Sequence, residues 1–252
     1  MEKESLLHKL DRRREETLQL YYNSINAYTD SFDAMALSDA AVEFILETHD
    51  LEFYLYYYKK CSESQNLPYH NKYHTYCMVA NCYEGSRYLG ICVRKALLAA
   101  ALFHDANHSG GKLTDDLNIK AALEFFEETH AAAVRHGCGM SDKDYLEARD
   151  TIKITKYPYE GDPATMFQKI IRDADLMQVL ERDPFKLADQ FFGLKNEMEV
   201  AHKRSYTNDE WADGCLAFQQ KVVWHTDWAF QKSFFLNYAR KTEFLAELLR
   251  KG

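Results

Sequence analysis

Proline is scarce in this chain, four among 252 residues, and ten glycines add few further breaks. Runs of alternating Val, Ile and Thr are scarce as well, so long helices are the simplest reading of the pattern. The six cysteines, Cys61, Cys77, Cys82, Cys92, Cys138 and Cys215, contain no Cys-x-x-Cys pair. That argues against a disulfide framework or a thiolate metal knuckle. It predicts reduced packing thiols in a cytoplasmic protein. An excess of positive charge is also lacking. Lys and Arg number 31 against 39 Asp and Glu, a formal net charge of -8. A broad nucleic-acid face needs a basic surface, so no nucleic-acid partner is expected, although a local basic pocket stays open. No segment approaches the roughly 20 apolar residues that span a bilayer. The first residues, Met1 to His8, hold no apolar signal core. The expectation is a soluble protein with no membrane partner.

Hydrophobic residues make up 46% of the chain, enough for one large core. We expect a single all-α domain over residues 1–252, a compact multi-helix bundle, with no repeat or linker. Residues 5–28 read as an amphipathic helix. Ser38 can cap a helix from Asp39 to about His49. The aromatic run Leu51 to Tyr58 reads as a buried helix. Pro68 suits the first turn of a helix that would carry both His70 and His74. Lys95 to Phe103 is apolar after its first residue and helix-favouring, and reads as a buried helix. Further helices are expected from Thr114 to about Glu128 and, capped by Ser141, to about Ile154. Tyr157 to Pro163 reads as a turn, followed by an apolar segment, Met166 to Leu180. A capping box at Thr207 and Glu210 opens a helix toward Trp224, and a last helix runs from Asp227 to Leu249.

The chemistry concentrates in the doublet His104-Asp105, which ends the apolar run from Lys95 to Phe103. Two ionisable side chains at the end of a buried helix need something to satisfy them, and a metal ion would. His74 precedes the doublet. Asp175 follows it in Asp173-Ala-Asp175-Leu-Met, where one of the two acids is expected to face inward and Asp173 suits a solvated face better. Two imidazoles and two carboxylates suit Mg, Mn, Zn, Ni or Fe. Such a centre would lower the pKa of a water and polarise a phosphoryl oxygen. His70 and His74, four residues apart, would share one face of a helix, and His108 lies four beyond His104. One histidine of such a pair could bind metal while the other donates a proton. Asp116 could orient a water or hold a second ion.

The order His … His-Asp … Asp resembles the HD superfamily of metal-dependent phosphohydrolases. Tyr69-His70-Asn71-Lys-Tyr-His74 and His104-Asp105-Ala-Asn-His108-Ser-Gly110 are similar to stretches of class I cyclic nucleotide phosphodiesterases, as is Ala174-Asp175-Leu176. These motifs span roughly residues 68–180. The segments around Thr155 and Arg172 also resemble small bacterial HD phosphohydrolases. The resemblance implies an HD-domain bundle with one or two divalent ions between its helices. It makes His74, His104, Asp105 and Asp175 the ligands of the first ion, with Asp105 bridging to a second. It makes His70 the general acid, with His108 contacting the bridging hydroxide or the phosphate. It also implies a glutamine that clamps the base, for which Gln219 or Gln220 is the candidate.

The expected reaction is hydrolysis of a small-molecule nucleotide, with a cyclic nucleotide ahead because a positioned acid matters most for a poor leaving oxygen. Hydrolysis of a nucleoside mono- or triphosphate is the alternative, with Lys72, Lys112, Lys153, Lys156 and Arg172 available for phosphates. A non-catalytic nucleotide-binding HD domain is a third reading. A di-iron oxygenase, which would need His130 or His136 as further ligands, is a fourth. The sequence leaves oligomeric state open.

Overall fold

The computed structural model describes residues 39–180, 184–236 and 238–251. Eleven α-helices and two short 3-10 segments run through them, and no strand occurs among the described residues. The helices are α1 (Asp39–Thr48), α2 (Glu52–Cys61), α3 (Lys72–Tyr88), α4 (Lys95–Phe103), α5 (Asp115–Arg135), α6 (Asp142–Lys153), α7 (Met166–Leu176), α8 (Pro184–His202), α9 (Asn208–Gln219), α10 (Asp227–Phe235) and α11 (Tyr238–Lys251). The 3-10 segments are Glu63–Asn66 and Met177–Leu180. The all-α expectation is met. The expected helix over 5–28 and the Ser38 cap lie outside the described residues.

Helix α4 is the axis of the core. Every residue from Ala96 to Phe103 is buried. It packs on α3 and α6, with α7 also against it. Its alanines let neighbouring helices approach, and Leu97, Leu98, Leu102 and Phe103 fill the space between. Each such side chain contributes roughly 1.5–3 kcal/mol by leaving water. The aromatic run after Leu51 is helical, as expected. It buries Tyr54, Leu55 and Tyr58, and the Tyr54 and Tyr58 rings meet Phe103 edge-on. A second set of helices, α8, α9 and α11, closes one side, with α9 and α11 in the broadest contact. No described helix is long and apolar enough to cross a membrane.

Four expectations need correction. His70 is not helical. Asn71 takes an extended conformation and caps α3, its side-chain oxygen accepting from the amides of Tyr73 and His74. A strong Asx cap overrides Pro68 as the starting signal. Helix α5 runs to Arg135, because nothing interrupts it before Gly137, whose φ is 73°. The last helix is two helices, α10 and α11, and α9 stops at Gln219, short of Trp224. Thr226 caps α10 by accepting from the Ala229 amide.

Candidate metal centre

Helix α4 delivers His104 and Asp105 at its C-terminal end, and α3 delivers His74 in its first turn. His74 and His104 are almost fully buried. Their Nε2 atoms lie 3.1 Å apart. Asp105 Oδ2 is 2.9 Å from His104 Nε2 and 3.1 Å from His74 Nε2. Asp175 Oδ1, from α7, is 3.4 Å from His74 Nε2. His74, His104 and Asp105 thus lie within metal-ligating reach of one another, and Asp175 adjoins the group through His74.

Each ring is held by its other nitrogen. His104 Nδ1–H donates to the Ala101 carbonyl at 2.9 Å. His74 Nδ1–H donates to Gln178 Oε1 at 2.8 Å, and Gln178 Nε2 donates in turn to Gln190 Oε1 at 2.9 Å. With their Nδ1 atoms so engaged, the two Nε2 atoms face one another and Asp105, and His74 Nε2 also faces Asp175. That arrangement asks for a cation, and outer partners of this kind are typical of metal-bound histidine. Burial opposes a charge on His74, but hydrogen bonds to Asp105 and Asp175 push its pKa up to about 10. Burial likewise opposes the charge on Asp105, yet His104 and His70 hold its carboxyl well below the usual range. The donor set fits a divalent ion. Gln178→Ala keeps all four ligands but frees the His74 ring. It is expected to weaken Mn affinity about 10–100-fold by calorimetry. Unchanged affinity would remove the second-layer role of Gln178.

A second group sits beside the first. His70, His108 and Glu197 also lie within metal-ligating reach of one another. Glu197 comes from α8. Its Oε1 accepts the amides of Tyr69 and His70 at 2.7 and 3.1 Å, and its Oε2 accepts His70 Nδ1–H at 2.6 Å. His70 Nε2 therefore faces the centre, 4.0 Å from Asp105 Oδ2. Burial disfavours the His70 cation, but Asp105 and Glu197 outweigh it and raise the pKa above that of ordinary imidazole. His108 packs on His70 with ring centroids 3.7 Å apart. Asn118 Oδ1 accepts from the Ser109 amide, which turns its NH2 toward His108 Nε2 at 2.9 Å. Burial and the His70 charge push the pKa of His108 down to about 4, so the ring stays neutral.

Two glycines let α8 come this close. A Cβ on Gly193 would meet the Pro68 carbonyl oxygen at 2.3 Å, and one on Gly111 would meet the Glu197 carbonyl oxygen at 2.1 Å. Gly111 also has a φ of 83°, where any other residue is strained. Gly193 and Glu197 are one helical turn apart, so the face that touches Pro68 also carries the acid. An isolated glycine inside a helical pattern was the one signal that could have marked Glu197.

Other candidates fall elsewhere. Asp173 is fully buried, contrary to the solvated reading. It accepts from the His225 amide and the Thr226 hydroxyl, pinning the start of α10. Burial pushes its pKa up to about 6 despite those donors. Asp116 pairs with Lys156 at 2.7 Å. Its neighbour Asp115 is the acid whose pKa rises through burial and through the charges of Asp105 and Asp175. His130 bonds the Tyr54 hydroxyl and stacks on Tyr145, while His136 packs by Phe53. Both histidines named for the oxygenase reading thus have partners outside the two ligand groups. Gln219 is buried at the end of α9, its amide oxygen accepting from the Tyr238 hydroxyl, and Gln220 is exposed.

No family model matches the chain, and no curated protein matches it. A solved structure does: the Leishmania phosphodiesterase LmjPDEB1 in complex with IBMX. The TM-score is 0.51, at 14% identity, over 84% of this chain and 84% of that chain. At that identity the likeness is one of fold, an all-helical phosphodiesterase-like bundle.

Proposed function

We propose that this chain is a metal-dependent phosphohydrolase of the HD type acting on a nucleotide phosphoester, with cyclic nucleotide hydrolysis the leading reaction. One observation carries the reading: the Nε2 atoms of His74 and His104, fixed from behind, converge with Asp105, and Asp175 stands beside His74. His74, His104, Asp105 and Asp175 would hold a divalent cation, which would supply Lewis-acid charge and lower the pKa of a water. Asp105, at the midpoint of the cluster, sets the register between the ligand group and His70. His70, oriented by Glu197, holds a proton on Nε2 for the leaving oxygen. Neutral His108 and Asn118 line the same wall and offer polarity without a competing charge.

The triphosphate reading has less support. Lys72 pairs with Asp39, Lys153 with Asp150, and Lys156 with Asp116 and Glu160. Arg172 donates to the carbonyls of Ile154 and Gly161. Four of the five basic residues considered for a phosphate tail thus have other partners. The test incubates purified protein with Mg, Mn, Zn or Ni and with cyclic nucleotides, nucleoside monophosphates or deoxynucleoside triphosphates. A linear monophosphate from a cyclic nucleotide is the expected product. Free phosphate or tripolyphosphate would move the enzyme to the monophosphate or triphosphate branch. No turnover with any metal would leave a nucleotide-binding HD domain.

A further inference from the structure

An aromatic row leads from the helix that carries Asp175 to the surface. Arg172 lies one helical turn before Asp175 on α7, and its guanidinium sits 4.3 Å from the centroid of the Tyr159 ring. The guanidinium is fixed: Nε donates to the Ile154 carbonyl and Nη1 to the Gly161 carbonyl, both at 2.9 Å. Tyr159 is thereby held beside the turn that carries Asp175. Burial, then the Asp175 charge, keeps its hydroxyl protonated far above neutral pH. Tyr157 meets Tyr159 edge-on at 5.5 Å, and meets Phe218 of α9 edge-on at 5.7 Å. The segment is tied to α5 as well, since Asp115 Oδ2 accepts the Tyr157 amide at 2.5 Å. With backbone and neighbours fixed in this way, Tyr157 is still 51% exposed.

An exposed ring that is already ordered loses little entropy on binding, and every nucleobase has a face to stack on it. Gln219 follows Phe218 directly, but its amide oxygen is engaged by Tyr238. We propose that Tyr157, backed by Tyr159 and Phe218, is the stacking surface for the base of the nucleotide whose phosphate lies at the metal centre. The proposal rests on the nucleotide reading above. It moves base recognition from an amide clamp on α9 to the α6–α7 segment. Stacking is tolerant of base identity, so purine and pyrimidine nucleotides both bind.

Calorimetry of the Mn-loaded protein with AMP and with ribose 5-phosphate isolates the contribution of the base, with chromatography confirming that neither ligand is consumed. The wild type is expected to bind AMP about tenfold or more tighter than ribose 5-phosphate, the effect of one ring–base stack. Tyr157→Ala should collapse that ratio toward one, and Tyr157→Phe should restore it. An unchanged ratio in Tyr157→Ala, or no preference in the wild type, would overturn the stacking role. Failure of the phosphohydrolase reading shows separately, as an absence of metal-dependent product in the hydrolysis screen.

Discussion

Asp105→Ala is expected to abolish metal binding and turnover together while leaving the helical fold intact. The carboxylate stands between the two imidazoles, 2.9 and 3.1 Å from their Nε2 atoms, and 4.0 Å from His70. Without it His74 and His104 face each other across 3.1 Å with one acid, Asp175, left to attract a cation. Metal-assisted hydrolysis depends on several kcal/mol of charge stabilisation, and each 1.36 kcal/mol is a factor of ten in rate. The expected loss is therefore about three orders of magnitude or more. Bound Mn measured by elemental analysis should fall with it, and the far-ultraviolet circular dichroism should stay helical. A variant that keeps its Mn and its rate would show that the cluster is not the metal centre.

His70→Ala should separate chemistry from metal binding. His70 is not among the four ligands, so Mn affinity should hold. Turnover on a ribose leaving group should fall about 10²–10⁴-fold, the usual contribution of a positioned acid. A nitrophenyl ester, whose leaving group needs no proton, should lose far less. Equal losses on both substrates would remove the acid role. Glu197→Gln tests the same proton by pH. The native Glu197 charge raises the His70 pKa against the opposing effect of burial. Removing that charge lowers it, so His70 loses its proton at lower pH. The alkaline limb of the kcat/KM profile should shift toward acid, with the plateau below that limb largely kept. A limb that does not move would disconnect Glu197 from the acid.

What the sequence revealed and what it hid follow from range. Helix α4 was legible because nine consecutive apolar or helix-favouring residues need no partner to be recognised, and the doublet at its end was legible for the same reason. Asp175 was legible as a carboxylate inside an apolar helix, but Asp173 was misjudged. Its burial depends on a loop 52 residues away whose amide it accepts. Glu197 and Gln178 were hidden because they act on His70 and His74 across 127 and 104 residues, and each reads locally as an ordinary helical polar residue. Pro68 as a first-turn residue predicts a helix that carries both His70 and His74. The Asn71 cap decided otherwise, because two side-chain-satisfied amides outweigh a weak proline start. The two rings still end 5.8 Å apart, so the pairing survived the error in local structure.

The central claim is that His74, His104 and Asp105, with Asp175 beside them, hold the ion that drives hydrolysis. The most direct measurement strips the protein with a chelator, returns Mn in measured equivalents, and follows hydrolysis of a cyclic nucleotide at each step. The account predicts a stripped protein without activity and a rate that rises in proportion to bound Mn, saturating at one or two equivalents. A stripped protein that still turns over its substrate, or one that fills with Mn at these residues and stays inactive, would contradict it.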